Sequence, residues 1–445
     1  MINASTDISE YKSRHEQMLE SVNTILNNSR RLGVTHLVTE DERFDGSHIH
    51  IDGKELINFG SCSYLGLELD QRLKDAGKEA IDKFGMQFSS SRAYVSIGLY
   101  SELENLFEQM FGQPVILAST VTLGHIANIP VLVGDDDAVI MDVQAHASVQ
   151  TAVDLLKVRK VHTEIIRHNR LDILEDKIKE LSSGHKKIWF MADGVYSMYG
   201  DLLPVTELVG LMNKYPQLHL YVDDAHGMSW TGPNGTGYVM SQLNSSFPDR
   251  LFLVCGLAKS FGTAGGLLIY PNIEIRQLVR NCGKTMIFSG PIQPPVLGAS
   301  VASAHIHLSE EIYALQNQLK KKIGFFNSKA ADYGLPLVAP SGSPIKFIGV
   351  GKPETGYMMV RMLIKLGFYV NLSVFPSVPY KNTGVRITLT NHLTEENIDN
   401  LLYTFARQLP EALRLSNSSM ENIHKAFKPK APVVKEKETL QTVAA

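Results

Sequence analysis

Leu251-Phe-Leu-Val-Cys-Gly-Leu-Ala-Lys259-Ser-Phe-Gly-Thr-Ala-Gly-Gly266 sets one lysine between an apolar run and a stretch of small residues. Apolar surroundings make the charged form of such a lysine costly, so burial lowers its pKa. A neutral amine forms a Schiff base with a carbonyl group. The stretch alone also suits a surface lysine that follows a strand. Upstream, Tyr221-Val-Asp223-Asp-Ala-His226-Gly227 closes another apolar run on an acid and a histidine. A lysine for an aldehyde and an Asp for a pyridine nitrogen are the two protein groups that pyridoxal phosphate chemistry requires. Together they make pyridoxal 5'-phosphate (PLP) the expected cofactor.

The chain has 445 residues, 44% hydrophobic and 20% charged, with a formal net charge of -3. That length holds two domains and a large core. The charge offers nucleic acid no basic field. Three cysteines (Cys62, Cys255, Cys282), without metal spacing, fit a reducing compartment and no disulfide framework. The N-terminus lacks the basic and apolar regions of a signal peptide, and no apolar run approaches a transmembrane segment. A cytoplasmic, enzyme-sized protein is expected.

Working outward, residues Tyr11–Leu32 carry a helical pattern whose apolar face is Met18, Val22, Ile25 and Leu32, widened by Leu19 and Leu26. His48–Phe59 reads as a hairpin turning on Asp52-Gly53. Short apolar runs then alternate with helical segments: Val115–Ala118, Ala138–Met141, Ile188–Ala192, Leu218–Val222, Leu251–Cys255 and Leu267–Tyr270. Continuous apolar runs separated by helices predict a mostly parallel sheet covered on both faces. Ligands sit at the carboxyl ends of such strands. Asp142, Asp193, Asp223 and Lys259 all follow their runs there, which predicts one shared site.

Beyond Ser309 the pattern predicts a long helix, Glu310–Lys329, and runs at Ile345–Val350, Phe368–Val370 and Val385–Leu389. A further helix follows Thr394 as N-cap, with Leu402, Phe405 and Leu409 on its apolar face. The expected division is an N-terminal helix and hairpin (1–58), a large cofactor-binding domain (59–308), a small C-terminal domain (309–415) and a flexible tail (416–445). Gly232-Pro-Asn-Gly-Thr-Gly237 is glycine-rich, but it follows a Trp-Thr loop instead of opening a βαβ unit, so a dinucleotide-binding oxidoreductase is the weakest reading.

Several motifs, in order, resemble the α-oxoamine synthases, PLP enzymes that condense an amino acid with an acyl thioester. The resemblance covers roughly residues 45–410. It runs through Asn58-Phe-Gly-Ser-Cys62-Ser-Tyr64-Leu-Gly-Leu67 and Phe84-Gly-Met-Gln-Phe-Ser-Ser-Ser-Arg92. Leu123-Gly124-His125-Ile-Ala-Asn128, Asp142-Val-Gln-Ala-His146-Ala-Ser148 and Asp193-Gly-Val-Tyr-Ser197-Met-Tyr-Gly-Asp201 follow. Asp223-Asp-Ala-His226, Lys259, Ile287-Phe-Ser289-Gly-Pro, Phe375-Pro-Ser377-Val-Pro379 and Arg386 complete it.

The resemblance implies an α/β protein of PLP-dependent transferase fold type I. Its large domain would hold a mostly parallel seven-stranded sheet, beside a smaller α+β C-terminal domain. It implies that Gly124 and His125 hold the cofactor phosphate through backbone amides at a helix start. His146 would stack on the pyridine ring, Ser197 and His226 would lie at the 3-oxygen, and Asp223 would pair with the ring nitrogen. Lys259 would hold the cofactor. Arg386 would grip the amino-acid carboxylate, with Ser377 also at the substrate. Ser289 would reach a neighbouring subunit's phosphate, which implies a homodimer with shared active sites.

This chain departs from the family pattern at Cys62, where Asn is usual, and at Gly256, where a phosphate-contacting Thr is usual. Ser260 or Thr263 are then the candidate substitutes. The implied activity is an acyltransferase that joins an α-amino acid to an acyl thioester of CoA or an acyl carrier protein, usually with loss of carbon dioxide, to give an α-amino ketone. An aminotransferase or aldolase of the same fold, and a non-catalytic partner subunit, are the alternatives.

Overall fold

The computed structural model describes residues 13–243 and 246–428. Strands β1 (His48–Ile51) and β2 (Lys54–Asn58) form the expected hairpin. Asp52 and Gly53 both take positive φ, 50° and 66°, the backbone that matches the twist of paired strands.

The central sheet is built from β3 (Val115–Ala118), β4 (Ala138–Asp142), β5 (His162–Ile166), β6 (Ile188–Asp193), β7 (Leu218–Asp223), β8 (Leu251–Gly256) and β9 (Gly266–Ile269). Their order is β3-β9-β8-β7-β6-β4-β5. Pairings from β8 to β5 are parallel, and β9 runs antiparallel to both β8 and β3. Side chains alternate between two cores: Ile188, Phe190 and Ala192 enter one, Trp189 and Met191 the other. Both faces are covered, so these strands read as unbroken apolar runs. β5 carried no such run. It is an edge strand with His162 and Ile165 exposed and only Ile166 buried.

The C-terminal part holds the long helix Glu311–Asp332 and a three-stranded antiparallel sheet. That sheet is made of β10 (Ile345–Gly351), β12 (Asn371–Ser373) and β13 (Thr383–Thr388). Between β10 and β12, β11 (Phe368–Tyr369) pairs in parallel with β2, and so ties the N-terminal hairpin to this part. The helix Glu395–Leu415 starts on Thr394 with a capping box to Asn397, and buries Leu402, Phe405 and Leu409. These were the expected cap and face.

Two segments differ from expectation. Within residues 416–445, Met420–Phe427 is a helix: Ile423 is buried and the Phe427 ring meets Phe347 and Tyr199 edge-on. Residues 429–445 of the expected tail lie outside the described residues, as do Tyr11 and Lys12 of the expected first helix. That helix, Arg14–Arg31, is capped by Ser13 and Glu16, but Met18 and Leu19 on its apolar face stay half exposed. Gly232–Gly237 forms a short turn bound by Gln316 of the long helix. Among the described residues, no helix is long and apolar enough to cross a membrane.

Candidate active site

A cavity of about 200 Å³ opens at the carboxyl ends of β6, β7 and β8. Lys259, Asp193, Asp223, His146 and His226 line it, together with residues 119–122. Three of the four strand-end residues expected to share a site therefore do so. Asp142 does not line this cavity. It accepts the Asn169 N–H at 2.9 Å and meets His168 Nδ1 at 3.0 Å, which ties the loop after β5 to the end of β4.

Asp193 and Asp223 are register partners on β6 and β7. Burial pushes both carboxyls up. For Asp223, the adjoining His125 with its hydrogen bond, the Lys259 charge and the Ala225 N–H outweigh burial and hold the carboxyl below its usual range. For Asp193, burial and the neighbouring Asp223 charge keep the carboxyl well above the usual range. One strand-end acid is thus ionised and its neighbour protonated. Burial lowers the Lys259 amine, although Asp223 opposes that effect. Burial and the Lys259 charge also push His226 well below its usual value; its Nδ1 lies 2.8 Å from the Tyr64 hydroxyl. His146 is likewise lowered by burial. It caps the helix Ala147–Lys157, its Nδ1 accepting the Ser148 N–H at 3.2 Å.

The far wall is the start of the helix Val121–Leu132, capped by Thr120, whose Oγ1 accepts the Leu123 N–H at 3.1 Å. The N–H groups of Val121 and Thr122 precede any possible carbonyl partner in their own helix. This turn rests on Gly266, where a Cβ would lie 2.8 Å from Val121 N. A helix start with free N–H groups and three hydroxyls, from Ser119, Thr120 and Thr122, suits a phosphate. With the lysine and the ionised Asp opposite, the residues present fit PLP.

Gly124 and His125, expected to hold the phosphate, do not line this cavity, whereas residues 119–122 do. Both lie a full turn inside that helix. His125 is fully buried and points to Asp223 instead, with Nε2 2.9 Å from Oδ2. The signal for the true start was present: Ser119-Thr120 directly after an apolar strand is an N-cap pattern. Gly256 is a packing glycine, since a Cβ there would lie 2.9 Å from Ala225 Cβ. Neither proposed substitute lines the cavity: Ser260 is buried, and Thr263 Oγ1 accepts from Ser300 at 2.9 Å.

The remaining candidates surround the cavity without lining it. Arg386 is buried, with Nε donating to the Ser197 carbonyl at 2.6 Å and Nη2 3.6 Å from Cys62 Sγ. Burial raises the Cys62 thiol, but Arg386 and then Lys259 outweigh it, and the net shift is downward. Ser197 and Ser377 line a neighbouring larger cavity that also reaches His146. Ser289 lies on a partly exposed loop beyond both cavities.

Burial opposes a charge on His168, but its bonds to Asp142 and Asp201 raise its pKa to about 9, above the usual value near 6.5. A raised folded pKa stabilises fully below the unfolded value. That contribution is lost as pH rises through about 9. His168→Gln should therefore cost on the order of 2–3 kcal/mol in mild acid, and far less in alkali. Urea midpoints across pH test this, and a pH-independent cost would refute it.

The model of the aminotransferase class I and II family matches residues 54–405. The chain is 29% identical over 394 residues to an 8-amino-7-oxononanoate synthase of Thermoanaerobacter pseudethanolicus, covering 87% of this chain and 96% of that one. It is 28% identical to a serine palmitoyltransferase of Sphingobacterium spiritivorum, covering 82% and 90%. A solved serine palmitoyltransferase from S. paucimobilis with bound PLP–myriocin aldimine superposes with a TM-score of 0.80 at 26% identity, covering 90% of this chain and 99% of that one. The chain belongs to the aminotransferase class I and II family, in its α-oxoamine synthase branch, and has the PLP-dependent transferase fold type I.

Proposed function

We propose that this protein is a PLP-dependent acyltransferase that joins the Cα of an α-amino acid to the acyl carbon of a thioester carried by CoA or a carrier protein, freeing the carrier thiol and the substrate carboxylate as carbon dioxide and releasing an α-amino ketone. The observation that carries this reading is the meeting of a depressed lysine amine with an ionised buried aspartate in one strand-end cavity. When bound, the cofactor supplies an electron sink that stabilises negative charge at the amino-acid Cα.

The chain's own residues do the rest. The Val121 and Thr122 N–H groups and the hydroxyls beside them hold the phosphate. Asp223, ionised, would face the pyridine nitrogen and favour a proton there, and His226, neutral, would donate toward the 3-oxygen. His146, also neutral, covers one ring face. Lys259 would attach the cofactor, and its amine, lowered by burial, would serve as the base that takes the proton from the amino-acid Cα. Arg386 holds the substrate carboxylate with a planar pair of N–H groups. With PLP and the right amino acid, the purified protein should show a visible absorption band that shifts on amino-acid binding. Lys259→Ala should abolish both the band and turnover; turnover retained by that variant refutes the assignment.

The acyl group takes the neighbouring cavity of about 950 Å³ between residues 143–150, 196–199 and 375–382. His146 lines both cavities, which supports an acyl carbonyl end lying beside the amino-acid Cα. Among the described residues, the lining includes Met198, Tyr199, Phe375 and Val378 and no lysine or arginine. A terminal carboxylate buried there without a cation is costly, so the donor is a neutral aliphatic acyl thioester. Turnover should be at least tenfold faster with a neutral acyl-CoA than with an ω-carboxyl acyl-CoA of equal length, each tenfold being about 1.4 kcal/mol. The reverse order refutes the acyl choice and leaves the reaction class standing.

The active form is a homodimer with shared sites. Exposed Met86, Phe88, Tyr94 and Phe288 lie on two loops joined by Ser91 Oγ donating to the Ile287 carbonyl at 2.6 Å. Ser289 sits beside them, and the uncovered Met18 and Leu19 add apolar surface. Light scattering should give a dimer mass, and Phe288→Glu should shift it toward monomer and lower activity. A monomeric, active wild-type protein refutes the shared site.

A further inference from the structure

We infer that His125 is a positioning residue: it ends a one-way chain of buried hydrogen bonds that delivers a fixed N–H donor to Asp223 from behind the cofactor cavity. The chain starts at Tyr270, whose hydroxyl donates to Asn128 Oδ1 at 3.1 Å. Asn128 Nδ2 donates to the Tyr221 hydroxyl oxygen at 3.4 Å. The Tyr221 oxygen lies 2.7 Å from His125 Nδ1, and His125 Nε2 lies 2.9 Å from Asp223 Oδ2. Tyr270, Tyr221, Asn128 and His125 are each at most 1% exposed.

The direction of this chain follows from chemistry. An amide nitrogen only donates, so Tyr221 oxygen accepts from Asn128, and the Tyr221 proton needs another acceptor. His125 Nδ1 is the acceptor in reach. Nδ1 therefore carries no proton, the proton sits on Nε2, and the neutral ring donates to Asp223. The other carboxylate oxygen, Oδ1, accepts the Ala225 N–H at 3.0 Å. Two fixed donors hold the carboxylate in one orientation. They also stabilise its charged form, because a hydrogen bond to the charged form favours that form.

Asp193, its register partner, has no such histidine: the bond its side chain accepts is the His146 N–H at 3.0 Å. Of the two neighbouring acids, the one with the relay behind it is the one that must meet a pyridinium. The relay lies wholly on the large sheet and on the helix Val121–Leu132, so the helix that offers N–H groups to a phosphate also positions the acid at the opposite end of the ring.

The role of this donor in holding the cofactor rests on the proposed function, so the test has a readout that needs no cofactor. Two-bond proton–nitrogen spectra of 15N-histidine protein without PLP should show a neutral His125 ring protonated at Nε2 around neutral pH. Assignment would use the His125→Phe variant. A ring protonated at Nδ1, or on both nitrogens, overturns the inference.

With PLP, His125→Phe should bind the cofactor on the order of ten- to a hundredfold more weakly, the range for losing a supporting hydrogen bond behind a ligand. It should also lower kcat with the amino-acid KM little changed. His125→Gln keeps an N–H donor and should recover much of the loss. Unchanged cofactor affinity and kcat in His125→Phe overturn the inference. If that variant does not fold, Tyr221→Phe removes the proton that fixes the tautomer. It should then move the His125 ring signals and weaken PLP binding, and no change in either overturns the inference. A wild-type protein that shows the Nε2–H ring but binds no PLP refutes the proposed function and not the direction of the relay.

Discussion

Asp223 lies at the end of β7, 5% exposed, with one hydrogen bond accepted by each carboxylate oxygen. A carboxylate in so dry a place is normally protonated, because desolvation disfavours the charged form. Asp193 one strand away shows that outcome. The contrast arises from what stands behind each acid: a buried imidazole N–H for Asp223, and a second carboxylate beside Asp193. The rest of the cavity follows from this one charge. It opposes the depression of the Lys259 amine, and it leaves the cavity a single fixed negative group at the strand ends.

Two glycines let these groups meet. Gly266 allows the first turn of the helix Val121–Leu132 to rest on β9, and Gly256 allows Ala225 to approach β8. A Cβ at either position would meet atoms inside ordinary contact distance, so the close approach of helix, loop and sheet is set by backbone contact. Helix-start N–H groups, a lysine and an ionised acid then face one small volume from three sides. That arrangement is an electrostatic environment assembled before any ligand arrives, and it needs no reorganisation when charge develops.

The two cavities share His146, which is neutral, caps a helix through Nδ1 and stands between the strand-end groups and a mostly apolar space. Arg386 comes from the other side, on β13 of the C-terminal sheet. Its Nε is spent on the Ser197 carbonyl, which joins that sheet to the loop after β6. The site is therefore closed by parts of the chain nearly two hundred residues apart, as the Arg386–Ser197 separation of 189 residues shows. Charge is concentrated at the strand ends and apolar surface next to it, which suits a reaction between a charged amino acid and a greasy acyl group.

Much of this was legible in the sequence. Unbroken apolar runs announced strands buried on both faces, Asp52-Gly53 announced the hairpin, and Thr394 announced a helix start, because each depends on local chemistry alone. Lys259 and Asp223 stood out because they follow apolar runs, at strand ends where side chains meet ligands; His146 was added through the resemblance, and all three line one cavity with His226. β5 escaped because an edge strand is covered on one face only and carries no unbroken run. The helix Met420–Phe427 escaped because its reason to fold is the distant ring of Phe347, which no local pattern displays. Gly124 and His125 were singled out because Gly124 resembled a motif, while the start of the helix was decided by Thr120, its N-cap just after β3. His125 shows the limit most plainly. The sequence determined that a histidine stands there; only the packing of the helix on the sheet decided that its ring turns to Asp223, since that contact spans 98 residues and exists only when the helix lies across the sheet.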